Sequence, residues 1–195
     1  MNELDFVDPH TTPFVEPRSR GELHPLYKEG GTYFVTFRLW DAVIGYAGCT
    51  ESKLPTIVDA CDPPLKLGSC LLAYPHNAGI VRDTLLHFDG ERYVLLSWCV
   101  MPNHVHVVFH PLADYSPSSI LHSWKSYSSH RINQLLGRKG NLWERESFDH
   151  LVRCTEDLEK FNRYVEMNPV EAGRCSRPQD WLWSSAAARL ADRAQ

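Results

Sequence analysis

The chain has no run of about 18 apolar residues, so no segment of it reads as a transmembrane helix and no membrane partner is expected. Its opening residues, MNELDFVDPH, are acidic and contain no apolar stretch, so they do not read as a signal peptide. The six cysteines (Cys49, Cys61, Cys70, Cys99, Cys154, Cys175) include no C-x-x-C pair, which removes zinc-knuckle spacing. Cys99 lies in an apolar stretch and reads as a buried hydrophobe, and a reducing cytoplasm fits such scattered thiols. Positive charge is also short: the net charge is −4, which by itself argues against a nucleic-acid partner.

Distribution qualifies that sum. Acids outnumber bases over residues 1–30, whereas residues 120–153 carry Lys125, Arg131, Arg138, Lys139, Arg145 and Arg153 against Glu144, Glu146 and Asp149. A local basic face is therefore compatible with an acidic chain, as is a mixed solvated surface. A length of 195 residues suits one domain with extensions.

The most informative stretch is 93–112, YVLLSWCVMPNHVHVVFHPL. Two apolar runs flank Met101, Pro102 and Asn103, which predicts a β-hairpin with strands near 92–101 and 104–110. On a strand, His104 and His106 project to one face while Val105 points into a core. Two neutral imidazoles side by side make half of a divalent-metal site; the plainer reading is the solvated face of an amphipathic strand.

Residues 1–29, with Pro9, Pro13, Pro17 and Pro25, read as an extended arm. Thr32 to Trp40 alternates and is rich in β-branched and aromatic residues, predicting a strand. Residues 41–72 are broken by proline and glycine and read as a surface excursion, with a short helix near Thr56–Ala60. Ala78 to Phe88 has helical spacing, with Asn77 as cap and Asp89-Gly90 as stop. A longer helix capped by Ser118 or Ser119 runs to Leu136, with an apolar stripe of Ile120, Leu121, Trp124, Tyr127, Ile132, Leu135 and Leu136 and a stop at Gly137. Residues 143–153 read as extended, ending in a short strand. Thr155 then caps a helix that ends near Pro169. Strand, helix, strand, strand, helix, strand, helix predicts an α+β fold. It is a ferredoxin-like sandwich on an antiparallel sheet, with an additional C-terminal helix. The single domain spans 30–187 and a tail covers 188–195.

That last helix carries Tyr164 and Asn168, four residues apart and so on one face. A tyrosine can attack phosphorus covalently, and a carboxamide oxygen can complete a His-His-Asn site. Mg²⁺ or Mn²⁺ suits such mixed nitrogen and oxygen donors. Taken singly, Tyr164 reads better as a core-edge aromatic and Asn168 as a helix-terminal residue. Lys125, Arg131, Arg138, Lys139 and Arg145 are candidate phosphate contacts. Trp143 divides evenly between stacking on unpaired bases and core packing, and Trp124 and Tyr127 are weaker stacking candidates. His150 either approaches the metal or pairs with a backbone carbonyl.

Three segments, MPNHVHVVFHPL (101–112), HSWKSYSSHRINQLLGRKGNLWERESFDH (122–150) and NRYVEMNPVEAG (162–173), resemble in this order the REP-associated tyrosine transposases. These belong to the IS200-like, single-tyrosine transposases with a His-hydrophobic-His (HUH) motif. The resemblance runs from about Gly30 to Ala187. It implies that His104, His106 and Asn168 bind the metal and that Tyr164 is the nucleophile. It also implies cleavage and rejoining of single-stranded REP-type hairpin DNA through a 5′-phosphotyrosine, at the nucleoid in the cytoplasm, by a monomer or a homodimer. Two other functions compete: a repeat-DNA-binding module with an inert site, and a nuclease whose histidines activate water. Tyr127 is a rival nucleophile, but Arg131 stands four residues on where an Asn or Gln is wanted.

Overall fold

The computed structural model describes residues 30–40, 68–112 and 114–192. The expected arm at 1–29 and the helix near Thr56–Ala60 lie outside the described residues. β1 (Thr32–Arg38), β2 (Tyr93–Val100), β3 (His104–Pro111) and β4 (Phe148–Val152) form one antiparallel sheet in the order β2-β3-β1-β4. With α1 (Pro75–Leu86) and α2 (Pro117–Leu135) as crossovers, this is the expected ferredoxin-like β-α-β-β-α-β arrangement. α3 (Thr155–Glu171) follows as the added helix, and α4 (Ser185–Asp192) is a further one that the alanine-rich tail did not suggest. α4 runs across the expected boundary between residues 187 and 188.

Alternation divides the strands into two faces. Tyr33, Val35, Phe37 and Leu39 share a core with Val105, Val107 and Phe109 of β3 and with α1 and α2. Phe34, Cys99, Met101 and Val108 lie on the opposite face under Val165, Leu158 and Phe161 of α3. The larger core is tied together by aromatics. Trp124 meets Tyr93 and Phe109 edge-on at 5.0 and 4.9 Å, and its Nε1–H donates to the Tyr93 hydroxyl at 2.9 Å. Tyr93 in turn donates to the Leu85 carbonyl at 2.7 Å, which joins α2, β2 and α1. Each such aromatic pair is worth roughly 0.5–1.5 kcal/mol beyond its area.

Several local expectations shift. α1 is entered through Tyr74 and Pro75, while Asn77 is buried and donates to the Leu71 carbonyl at 2.8 Å, so it is not the cap. Proline suits a first helical turn because its missing N–H has no intrahelical partner there. α2 is capped by Ser116, whose hydroxyl accepts from Ser119 N–H, and Gly137 (φ 61°) ends it as expected. Its stripe is narrower than predicted: Tyr127, Leu135 and Leu136 are exposed, and buried Ser128 takes the inward place. The end of the 41–72 excursion is also inward, with Leu72 buried and its N–H bonded to the Pro102 carbonyl.

Trp143 belongs to the core rather than to a stacking surface. It is 5% exposed, packs edge-on to Phe37 at 4.8 Å, and donates to Ser128 Oγ at 2.9 Å. Trp143→Ala is expected to lower stability by about 3–5 kcal/mol. Trp143→Phe, which keeps most of the ring and loses the hydrogen bond, should cost about 1 kcal/mol. Urea unfolding of both variants against the parent measures the difference.

Candidate active site

The site lies on the sheet face that α3 covers. The β1–β3 register sets Thr36 opposite His106 and Arg38 opposite His104. The 101–103 turn is held from outside the hairpin: Leu39 N–H donates to the Asn103 carbonyl and Leu72 N–H to that of Pro102, both at 2.9 Å. The histidines thus start β3 on an anchored backbone.

Their side chains converge. His104 Nε2 and His106 Nε2 are 3.0 Å apart, with ring centroids at 4.6 Å. Each Nδ1 has its own partner, Asn103 Oδ1 at 2.6 Å for His104 and Thr36 Oγ1 at 2.7 Å for His106. Asn103 Oδ1 only accepts, so His104 carries its proton on Nδ1 and offers the Nε2 lone pair. A hydroxyl both donates and accepts, so Thr36 permits either tautomer of His106. With His106 Nε2–H donating to His104, the pair satisfies itself. With the proton on Nδ1, both Nε2 lone pairs face one point. Partners of this kind fix ligating imidazoles.

Burial keeps both rings neutral. It lowers the His104 pKa to about 4 and that of His106 to about 3, where the neighbouring His104 adds to the effect. Phe34 lies under His106 at 5.8 Å and 21°. Tyr164 of α3 meets His106 edge-on at 5.3 Å and Phe34 at 5.8 Å, and stays 43% exposed. A half-exposed phenol thus stands over a neutral imidazole pair, His106 buried and His104 half-buried.

The helix expected to end near Pro169 runs past the proline. α3 continues past Pro169 to Glu171 and stops at Gly173 (φ 67°), where Gly173 N–H bonds the Val170 carbonyl and Arg174 N–H that of Pro169. This is the paired closure of a glycine-terminated helix. Val165 and Pro169 are buried and hold the helix through the proline. Asn168 is therefore helical and half-buried, one turn after Tyr164 on the same face. Among the described residues no group of three or more His, Cys, Asp or Glu could hold a metal. A cation at the two imidazoles would need another donor type, and the Asn168 amide oxygen fits a hard divalent ion with mixed donors.

The remaining candidates separate. His150, on β4, is opposite Phe34 in register and packs its ring against Phe161 at 5.2 Å; it does not complete a metal group with the histidine pair. Tyr127 lies on α2, across the sheet from the imidazoles, so it is not the nucleophile of this site. Lys125 is half-buried with Nζ donating to the Arg145 carbonyl at 3.0 Å, and burial lowers its pKa. Arg38 and Glu144 form a two-pronged ion pair that holds Glu144 below the usual carboxylate range. Lys125, Arg38 and Trp143 thus pin the 142–147 loop. Arg131, Arg138, Lys139 and Arg145 are exposed. Thr36, Asn103 and Phe34 were not singled out from the sequence. Only Asn103, beside His104, carried a local signal, since the other two depend on strand register. Lys160, one turn before Tyr164, and Arg163 are exposed cations on α3 that were also passed over.

The neutral pair has a consequence for stability. Free imidazoles take up protons near pH 6.5, whereas these do so only near 4 and 3. Below about pH 6.5 the unfolded chain binds more protons, so this contribution is lost as the pH falls from there through about 4. Urea midpoints at pH 7 and pH 5 should therefore differ less in His104→Gln/His106→Gln than in the parent.

Comparison with known proteins agrees with this arrangement. Residues 86–168 match the family model described as "Transposase IS200 like", a stretch that includes both histidines, Tyr164 and Asn168. The chain is 30% identical over 108 residues to the REP-associated tyrosine transposase of Escherichia coli K12, covering 54% of this chain and 62% of the relative. It is 25% identical over 114 residues to a candidate REP-associated tyrosine transposase of Haemophilus influenzae, covering 53% and 63%. The chain thus matches less than two thirds of either relative's length. The solved structure of a REP-associated tyrosine transposase bound to a REP hairpin has the same fold, with a TM-score of 0.60 and 23% identity, covering 91% of this chain and 86% of that one. Through the 86–168 stretch that carries its paired histidines, tyrosine and asparagine, the chain is similar to the IS200-like transposases and to REP-associated tyrosine transposases.

Proposed function

We propose that the chain is a metal-dependent single-stranded-DNA transesterase that cuts and rejoins REP-type hairpin DNA through Tyr164. The observation that carries this reading is the half-exposed Tyr164 ring 5.3 Å from His106, whose Nε2 is 3.0 Å from that of His104. A hydrolase needs no tyrosine there, and an inert recognition module needs no converging neutral imidazoles.

His104, His106 and Asn168 would hold Mg²⁺ or Mn²⁺, with Asn103 and Thr36 orienting the two rings. When bound, the cation would polarise a phosphoryl oxygen beside the bond to be broken. The chain's own chemistry is nucleophilic. The Tyr164 oxygen loses its proton and bonds to phosphorus, the bond from phosphorus to the 3′ oxygen breaks, and that oxygen leaves protonated as a free 3′-OH. The 5′-phosphotyrosine keeps the ester energy, so a 3′-OH can attack it, restore the phosphodiester and return the proton to Tyr164 without ATP. Exposed Arg131, Arg138, Lys139 and Arg145, with Lys160 and Arg163 beside the tyrosine, supply phosphate contacts to a chain of net charge −4. Among the described residues no helix is long and apolar enough to cross a membrane.

A labelled single-stranded repeat hairpin from the host genome, incubated with Mg²⁺ and resolved on denaturing gels, tests the reading. The parent should give a protein-sized labelled adduct, absent with Tyr164→Phe and with chelator and retained with Tyr127→Phe. Cleavage that survives Tyr164→Phe would instead indicate a nuclease, and specific binding without cleavage a recognition module. Thr36→Val, which removes the partner of His106 Nδ1, is expected to lower the adduct rate by about 10–100-fold, measured at fixed Mg²⁺.

A further inference from the structure

We infer that Phe148 is a stacking platform for the unpaired base next to the phosphate that Tyr164 attacks, an inference that rests on the DNA-processing reading above. Phe148 begins the edge strand β4 and is 61% exposed. A lone exposed apolar side chain is ordinary on a protein surface; its surroundings set this one apart. Thr36 pairs with His106 on one side and with Phe148 on the other, so the three form a row across one sheet face. Two strand spacings put Phe148 about 10 Å from His106 along that row. Phe34 is the floor common to both ends. Its ring meets Tyr164 at 5.8 Å and Phe148 at 6.1 Å, each edge-on or nearly so. The nucleophile and the exposed ring are thus braced by one buried side chain.

The approach to Phe148 is also fixed. Buried Trp143, the Arg38–Glu144 pair and the Lys125 bond to the Arg145 carbonyl hold the loop that leads into β4. An aromatic ring left open on a held backbone loses little freedom when a base stacks on it. Arg145, exposed three positions earlier, gives the same approach the charge that a nucleic-acid backbone requires. A ring without hydrogen-bonding groups reads no base edge, so the expected contact tolerates any base.

Binding is measured in the full-length Tyr164→Phe background, which stops cleavage and keeps the ring, by fluorescence anisotropy on a labelled single-stranded repeat hairpin. Adding Phe148→Ala should weaken binding roughly 5- to 100-fold, the worth of one stacked base, and Phe148→Trp should restore it. A substrate with an abasic site next to the cleaved phosphate should bind the Tyr164→Phe protein with a similar loss, and Phe148→Ala should then have no further effect. A general structural role for Phe148 would not disappear with the base. Unchanged affinity on Phe148→Ala, or losses from the protein and DNA changes that multiply independently, would overturn the stacking role while leaving the DNA reading intact. Absence of hairpin binding by the Tyr164→Phe protein itself would overturn both.

Discussion

The antiparallel register between β1 and β3 is the constraint on which the rest depends. It aligns Thr36 with His106 and Arg38 with His104, and the same alternation sends Tyr33, Val35 and Phe37 into the core under α1 and α2. A slip of one residue would turn every side chain of a strand to the opposite face. It would expose the core aromatics and strip His106 of its hydroxyl partner at once. Fold and site are therefore specified together: the large apolar core on one face selects the register that completes the imidazole pair on the other.

The site is a boundary between two environments. Below it, Phe34 stacks under His106, and burial keeps His104 and His106 neutral. Above it, Tyr164 reaches half into solvent. α3 spans that boundary because Val165 and Pro169 are buried on its inner side and a glycine closure lies beyond the proline. The proline removes one helical donor, but it does not end the helix while packing and the downstream closure favour continuation.

The charged and aromatic residues of 120–153 divide into two uses that look alike in composition. Lys125 and Trp143 are turned inward and stabilise the 142–147 loop, whereas Arg131, Arg138, Lys139 and Arg145 remain at the surface. The loop that the inward pair stabilises leads directly into β4. The same bonds therefore also fix the start of β4.

The chain by itself determined the element order through α3, the hairpin and the two candidate pairs, because each is written in local spacing. His104 and His106 alternate on a strand, and Tyr164 and Asn168 recur one helical turn apart. Boundary residues were less legible, since neighbouring serines offer α2 similar starts, and it is Ser116 whose hydroxyl accepts from Ser119 N–H. Only the tertiary structure decided that Tyr164 meets the histidine pair, that Thr36 and Phe34 serve His106, that Tyr127 faces away and that Trp143 is core. Each of those outcomes depends on which strand lies beside which and in what register, and that is fixed by burial of the whole apolar face rather than by any short stretch of sequence.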